Sequence, residues 1–202
     1  MDMITALRAG TFNNLQLNAG AFIMNFDTSA HTTAAALRSA LQTALAAGTD
    51  VLGATRGGGT FVIDRETRDP DVDGRRYRFK GGTFVDSIDA HLTGTLVEIK
   101  PAILAKLMAS GTAQTSGAKT TITMSTTVAQ SDYINKLTWV GDMSDGGVIA
   151  ITLKNALNTG GLTLTFTDKG EGTIPFDFYA HQDAVTDYDT PPFDVVMLSA
   201  QG

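Results

Sequence analysis

Hydrophobic and polar residues alternate with a period of two in one segment of this chain after another, and glycines punctuate the segments. Such alternation marks antiparallel strands with one buried and one wet face. Its fullest run spans Leu52–Lys100. Phe61 and Ile63 share one face of a first strand. Tyr77 and Phe79 share one face of a second, with Arg76, Arg78 and Lys80 on the other. Phe84, Ile88, Ala90 and Leu92 mark one face of a third. Gly57-Gly58-Gly59, Asp73-Gly74, Gly81-Gly82 and Gly94 break the run. Upstream, Phe22, Met24 and Phe26 alternate with Ile23 and Asn25 over residues 19–27. Downstream, the same period predicts strands around Ile122 and Met124, Leu137 and Trp139, and Ile149, Ile151 and Leu153. It continues with Leu162, Leu164 and Phe166, then Ile174, Phe176 and Phe178, and last Phe193–Leu198, which Pro191-Pro192 delimits. Asp145-Gly146-Gly147 and Thr159-Gly160-Gly161 read as turns.

The period changes to helical in two places. Leu37, Leu41 and Leu45 stack at every fourth position of a helix over Thr32–Ala47, which Thr32 or Ser29 can cap and Gly48 can close. Its apolar stripe is narrow and small-sided, so the helix is expected to lie on a sheet without penetrating a core. Pro101 opens a second helix to Ser110, with Ile103, Leu104, Leu107 and Met108 on one face. Residues 111–119 are expected to form a flexible loop, and residues 1–14 an arm or loop. About ten strands and two helices predict a mainly β chain, and all 202 residues are read as one domain.

Composition narrows the classes. There is no cysteine, so disulfide frameworks and thiolate metal sites are closed. The N-terminal residues lack a basic segment followed by an apolar one, and no apolar run approaches the ~20 residues of a membrane helix. The chain is acidic, with 21 acids and 15 Lys and Arg. Residues 168–202 hold seven of those acids and one base, Lys169, a balance of −6 that equals the whole chain's. The rest is even, fourteen acids against fourteen bases, yet Arg75, Arg76, Arg78 and Lys80 crowd into six residues without an acid. An acidic chain is a poor default binder of nucleic acid, because that affinity rests on neutralising phosphates.

No candidate chemistry completes itself. His31, His91 and His181 have no metal-ligand spacing, and no GxSxG elbow is present. Gly57-Gly58-Gly59 lacks the Lys-Ser/Thr and helix of a phosphate loop, and fits a bend or a close backbone approach better. Asp69-Pro70-Asp71-Val72-Asp73-Gly74 matches the first half of a calcium loop, but Lys80 stands where the closing glutamate belongs. The reading calls for no catalytic residue, metal or cofactor. The bases Arg75, Arg76, Arg78 and Lys80 are read as assembly contacts. They can meet the acidic 168–202 segment of another copy, or pair with the same segment within the chain.

In order along the chain, these strings resemble the tail tube proteins (major tail proteins) of long-tailed bacteriophages. The resemblance rests on Asn14 to Gly20 (NLQLNAG), the strand ending Asn25-Phe26-Asp27, Leu52 to Phe61 (LGATRGGGTF), and the Asp73-Gly74 turn with its basic run. It continues in Leu92 to Ile99 (LTGTLVEI), Leu153 to Leu157 (LKNAL), Asp168 to Gly172 (DKGEG), Ala180 to Asp183 (AHQD) and Pro192-Phe193-Asp194. The helix over 32–47 is longer and richer in alanine than that pattern leads one to expect. The resemblance implies a β-sandwich or barrel-like pair of antiparallel sheets with one or two flanking helices. It further implies a virion protein made in the host cytoplasm, whose six-fold rings stack into a tube. Its partners would be further copies, the tape measure, tail terminator and distal tail proteins, and DNA in transit without specific binding. No membrane is involved. A non-enzymatic β domain that binds a partner or decorates a capsid is the alternative, and an acid-dependent hydrolase a second one.

Overall fold

A computed structural model of the protein describes residues 11–183 and 189–200, so residues 1–10 of the expected arm lie outside it. Nine strands and two α-helices are found among the described residues: β1 (Gln16–Met24), α1 (Ala34–Ala47), β2 (Thr55–Arg68), β3 (Phe84–Leu96), α2 (Pro101–Leu107), β4 (Gly111–Ser116), β5 (Lys119–Met124), β6 (Ile134–Met143), β7 (Val148–Asn158), β8 (Ile174–Tyr179) and β9 (Phe193–Leu198). All pairings between them are antiparallel. The strand path is β1-β6-β7-β8-β3-β2, with β9 also on β7, and β4-β5 form a separate hairpin. The protein is thus mainly β with flanking helices, as the periodicity predicts.

The path folds back on itself at β7. Val148–Leu153 pair with β9, whereas Leu157 and Asn158 pair with β8. Between them Asn155 takes a left-handed φ of 46°, and its side-chain amide donates to His181 O at 3.2 Å. The two layers this produces enclose one apolar core. Phe22 of β1 meets Phe176 of β8 edge to face at 5.1 Å, and Phe61 of β2 meets Phe193 of β9 at 5.8 Å. Leu92, Leu96, Leu137 and Leu153 fill the space between, and Ile103 and Leu107 of α2 close one end. A second, smaller cluster lies on the outer side of the β6-β7 layer, where Ala34 and Leu37 of α1 pack on Val140, Val148 and Ala150. Leu41 is only partly buried there and Leu45 is exposed, so α1 lies on the sheet as expected. Its one charged residue, Arg38, donates to Asp142 at 2.8 Å and to the carbonyls of Gly146 and Gly147.

Glycine decides how closely the layers approach. Gly59 and Gly94 face each other across β2 and β3. A Cβ on Gly59 would collide with Phe22 Cζ, and one on Gly94 would stand 2.6 Å from Phe176 Cζ. Within the glycine run Gly59 is therefore the close backbone approach, and together with Gly94 it leaves the room that the two rings occupy.

Several details depart from the expectation. Residues 75–80 form no strand; they lie in the loop between β2 and β3, where glycine turns at positions 74 and 81 bend the chain and no described strand pairs with it. Residues 162–166 form no strand either: Thr165 makes one bridge to Thr173, while β8 pairs with β3 along its length and with Leu157 and Asn158 of β7 at its end. The expected loop at 111–119 is instead β4 and the turn into β5, with Gly117 left-handed and the hydroxyls of Thr115 and Thr120 2.9 Å apart. The N-cap of α1 is Thr33, whose hydroxyl accepts from Ala36 N, while Gly48 closes the helix as predicted. Phe26 joins the outer cluster and not the face of Phe22 and Met24, because Asn25 at φ 55° breaks the alternation.

Gly59→Ala is expected to destabilise the protein by about 1–3 kcal/mol, since an added methyl must displace a packed ring. Gly57→Ala meets no atom within 4 Å and loses only its left-handed φ of 79°, about 1–2 kcal/mol. Urea unfolding of both variants checks the order, and a Gly59→Ala protein as stable as wild type would contradict the packing described.

Candidate functional site

The β2-β3 hairpin outruns the sandwich. Its inner rows, Phe61–Leu92 and Ile63–Ala90, contribute Phe61, Leu92 and Ala90 to the core. Beyond them the rows Arg65–Ile88, Glu66–Ser87, Thr67–Val85 and Arg68–Phe84 are exposed except for half-buried Ser87, and a bulge at Asp86 shifts the register. Phe84 therefore leaves the face that Ile88 and Ala90 share, and the Arg68 guanidinium stands 5.6 Å over its ring. The hairpin ends in the loop of residues 69–83, which carries the predicted assembly residues.

That loop is folded around one carboxylate. Asp69 accepts from Thr83 Oγ1 at 2.5 Å and pairs with Arg78 at 2.9 Å and Arg75 at 3.7 Å. Arg75 also donates to Pro70 O and Tyr77 O, so its guanidinium is spent on holding the loop. The Thr83 hydrogen bond, followed by the charges of Arg78 and Arg75, holds the Asp69 carboxyl below its usual range. The first acid of the calcium-like string is thus engaged by cations of its own loop. Among the described residues Arg76 and Lys80 have no ion pair, and Arg78 keeps most of its side chain in solvent. Tyr77 is 82% exposed and Phe79 68%. Of the four predicted contacts, Arg75 is structural, and Arg76, Arg78 and Lys80 face outward on the loop.

The described residues of the acidic 168–202 segment do not meet this loop. Glu171 pairs with Arg56, Asp194 with Lys154 at 3.0 Å, and Asp177 with His91 at 2.7 Å. No ion pair among the described residues joins it to residues 75–80. The pairing within the chain is therefore absent there, and the pairing between copies is left open.

The histidines lie apart. His31 stacks on Phe26, and His181 places Nδ1 against the carbonyls of Asn155 and Tyr179. His91 is different. It is 9% exposed, stacks on Tyr179 at 4.5 Å, and donates from Nδ1 to Asp177. Its Nε2 lies 3.6 Å from Asp64 and has no hydrogen-bond partner. Asp177 first, then burial, Asp64 and Asp89 raise the Tyr179 phenol above its ordinary value. This acid-rich patch escapes a reading of local motifs, because its members come from three strands. Its only trace in the sequence is the polar parity of positions 64, 89 and 91.

Among the described residues no group of three or more His, Asp or Glu side chains is placed to hold a metal ion, and no helix is long and apolar enough to cross a membrane. No protein-family model matches the chain, and a search of curated proteins finds no match.

Asp69→Asn is expected to loosen the loop without unfolding the sandwich. Trypsin should cleave at Arg75–Lys80 several-fold faster, with melting nearly unchanged. The linkage sign is that of a depressed carboxyl: its contribution is complete above the ordinary Asp value and is lost as pH falls through the lower folded one. Hydrogen exchange of residues 75–83 in acid should show the loop opening only below the usual carboxylate range.

Proposed function

We propose that this chain is a structural subunit that assembles with copies of itself into stacked rings forming a hollow tube, the tail tube of a long-tailed phage. The observation that carries the reading is the hairpin that runs beyond its own sandwich and ends in exposed Tyr77, Phe79, Arg76 and Lys80. A monomer gains nothing from such a projection, whereas a repeating assembly uses it to reach a neighbour. The strands that end the layers support the same reading. Among the described residues no strand pairs with the outer edges of β2 and β9, and β9 also exposes Val195 and Met197. Natural proteins cover or blunt such edges, and closing a ring of subunits is one way to do so. The acidic balance suits a conduit through which a polyanion must slide without sticking. On this reading the protein resides in the virion tail. Its other partners are tape measure, tail terminator and distal tail proteins.

Sedimentation velocity and negative-stain electron microscopy across a concentration series test the proposal. Concentration-dependent growth into rings or tubes is the expected result. A chain that stays monomeric at high concentration with native tail components present would overturn it, and would favour a binding or capsid-decoration domain.

A further inference from the structure

We infer that the carboxylate-lined outer face of the β2-β3 hairpin, centred on Asp64 and Asp89, receives the basic loop of a second copy of this chain. The inference rests on the assembly reading above and names the other half of its contact.

Asp64 and Asp89 lie directly opposite each other in the β2-β3 ladder. Like charges so placed repel, and a cross-strand pair of this kind is destabilising unless a cation answers it. Alternation puts their neighbours on the same face: Glu66 one row outward, His91 one row inward, and Asp177 beyond it on β8. Four carboxylates therefore share one face. Among the described residues no Lys or Arg pairs with any of them; His91 touches two, Asp177 through Nδ1 and Asp64 through an Nε2 that makes no hydrogen bond there. Asp177 first, then burial, then Asp64 and Asp89 raise the Tyr179 phenol, in keeping with the negative charge gathered on this face.

The same chain carries an unanswered positive set. The loop of residues 69–83 has three acids and four bases, and the bases lie together at 75–80. Asp69 engages Arg75 and Arg78, which leaves Arg76 and Lys80 without an ion pair among the described residues. The rows from Arg65–Ile88 to Arg68–Phe84 stand between this loop and the Asp64–Asp89 row, so the two sets do not meet within one chain. In a neighbour they can. The Arg76 guanidinium can bind one of these carboxylates bidentately, and the Lys80 ammonium can answer its neighbour as a point charge. The contact joins two different patches, loop to face, so it repeats from copy to copy and builds rings or filaments. Tyr77 and Phe79, exposed beside the bases, add apolar surface to it.

Charge reversal on each side tests the assignment. The face variant is Asp64→Lys with Asp89→Lys, and the loop variant is Arg76→Glu with Lys80→Glu. Each alone should lose assembly by on the order of tenfold or more at fixed concentration, because a matched contact becomes a like-charge one. An equimolar mixture of the two variants restores both kinds of contact in alternation and should assemble, as should the fourfold variant. Melting of the protomers controls for folding. If the lysines unfold the hairpin, Asp64→Asn with Asp89→Asn replaces them; it should melt no lower than wild type and still assemble poorly. A face variant that assembles like wild type, while the loop variant does not, overturns the acceptor and leaves the self-assembly reading standing. A wild-type chain that never assembles fails the self-assembly reading itself. Loss in both variants without rescue by mixing also overturns the loop-to-face pairing.

Discussion

Two pairs of backbone and ring set the dimensions of this protein. Gly59 and Gly94, opposite each other, let β2 and β3 pass close over the Phe22 and Phe176 rings. Both rings are almost fully buried and meet edge to face. Burial of each is worth about 2–3 kcal/mol, and their mutual geometry adds about 1 kcal/mol more. A larger residue at either glycine would lift the hairpin from the layer beneath. The direction in which the hairpin leaves the sandwich, and hence where its loop is carried, follows from this contact.

The second constraint is Asn155. β7 serves two partners in succession, and the left-handed residue between them turns its edge from β9 toward β8. Asparagine is among the few side chains that accept this conformation at modest cost, and its amide holds the adjoining segment at His181. Asn158, buried at the end of the same strand, donates to Leu107 O and accepts from Asp177 N. One strand therefore ties α2, β8 and both layers together. The charged faces described above are carried on this frame and contribute little to it, since most of their ion pairs are exposed.

Much of the frame was legible in the sequence. Period-two alternation located eight of the nine strands, and i, i+4 leucines with Gly48 located α1 and its end. What failed did so for a shared reason: alternation records what a strand would need, not whether a partner lies beside it. Tyr77–Lys80 and Leu162–Phe166 alternate well but pair with no described strand beyond the single Thr165–Thr173 bridge, whereas the neutral residues 111–116 find a partner in Lys119–Met124. The site divides similarly. The basic cluster is contiguous and could be read directly. The facing of Asp64 on Asp89, and both on His91 and Asp177, depends on register across three strands, which no local pattern encodes.

The place of β9 in the chain bears on how the molecule is made. Phe193 completes the core against Phe61, yet the ribosome delivers it after every other described strand. Until then β7 shows a long apolar edge from Val148 to Leu153 to whatever is nearby. On a polysome the nearest candidate is the β9 of a sister chain finished moments earlier. A strand exchanged in that way would satisfy the same six register pairs, from Val148–Leu198 to Leu153–Phe193, between molecules. Synthesis at high density therefore sets correct closure against strand swapping, and the speed with which the last strand docks decides between them.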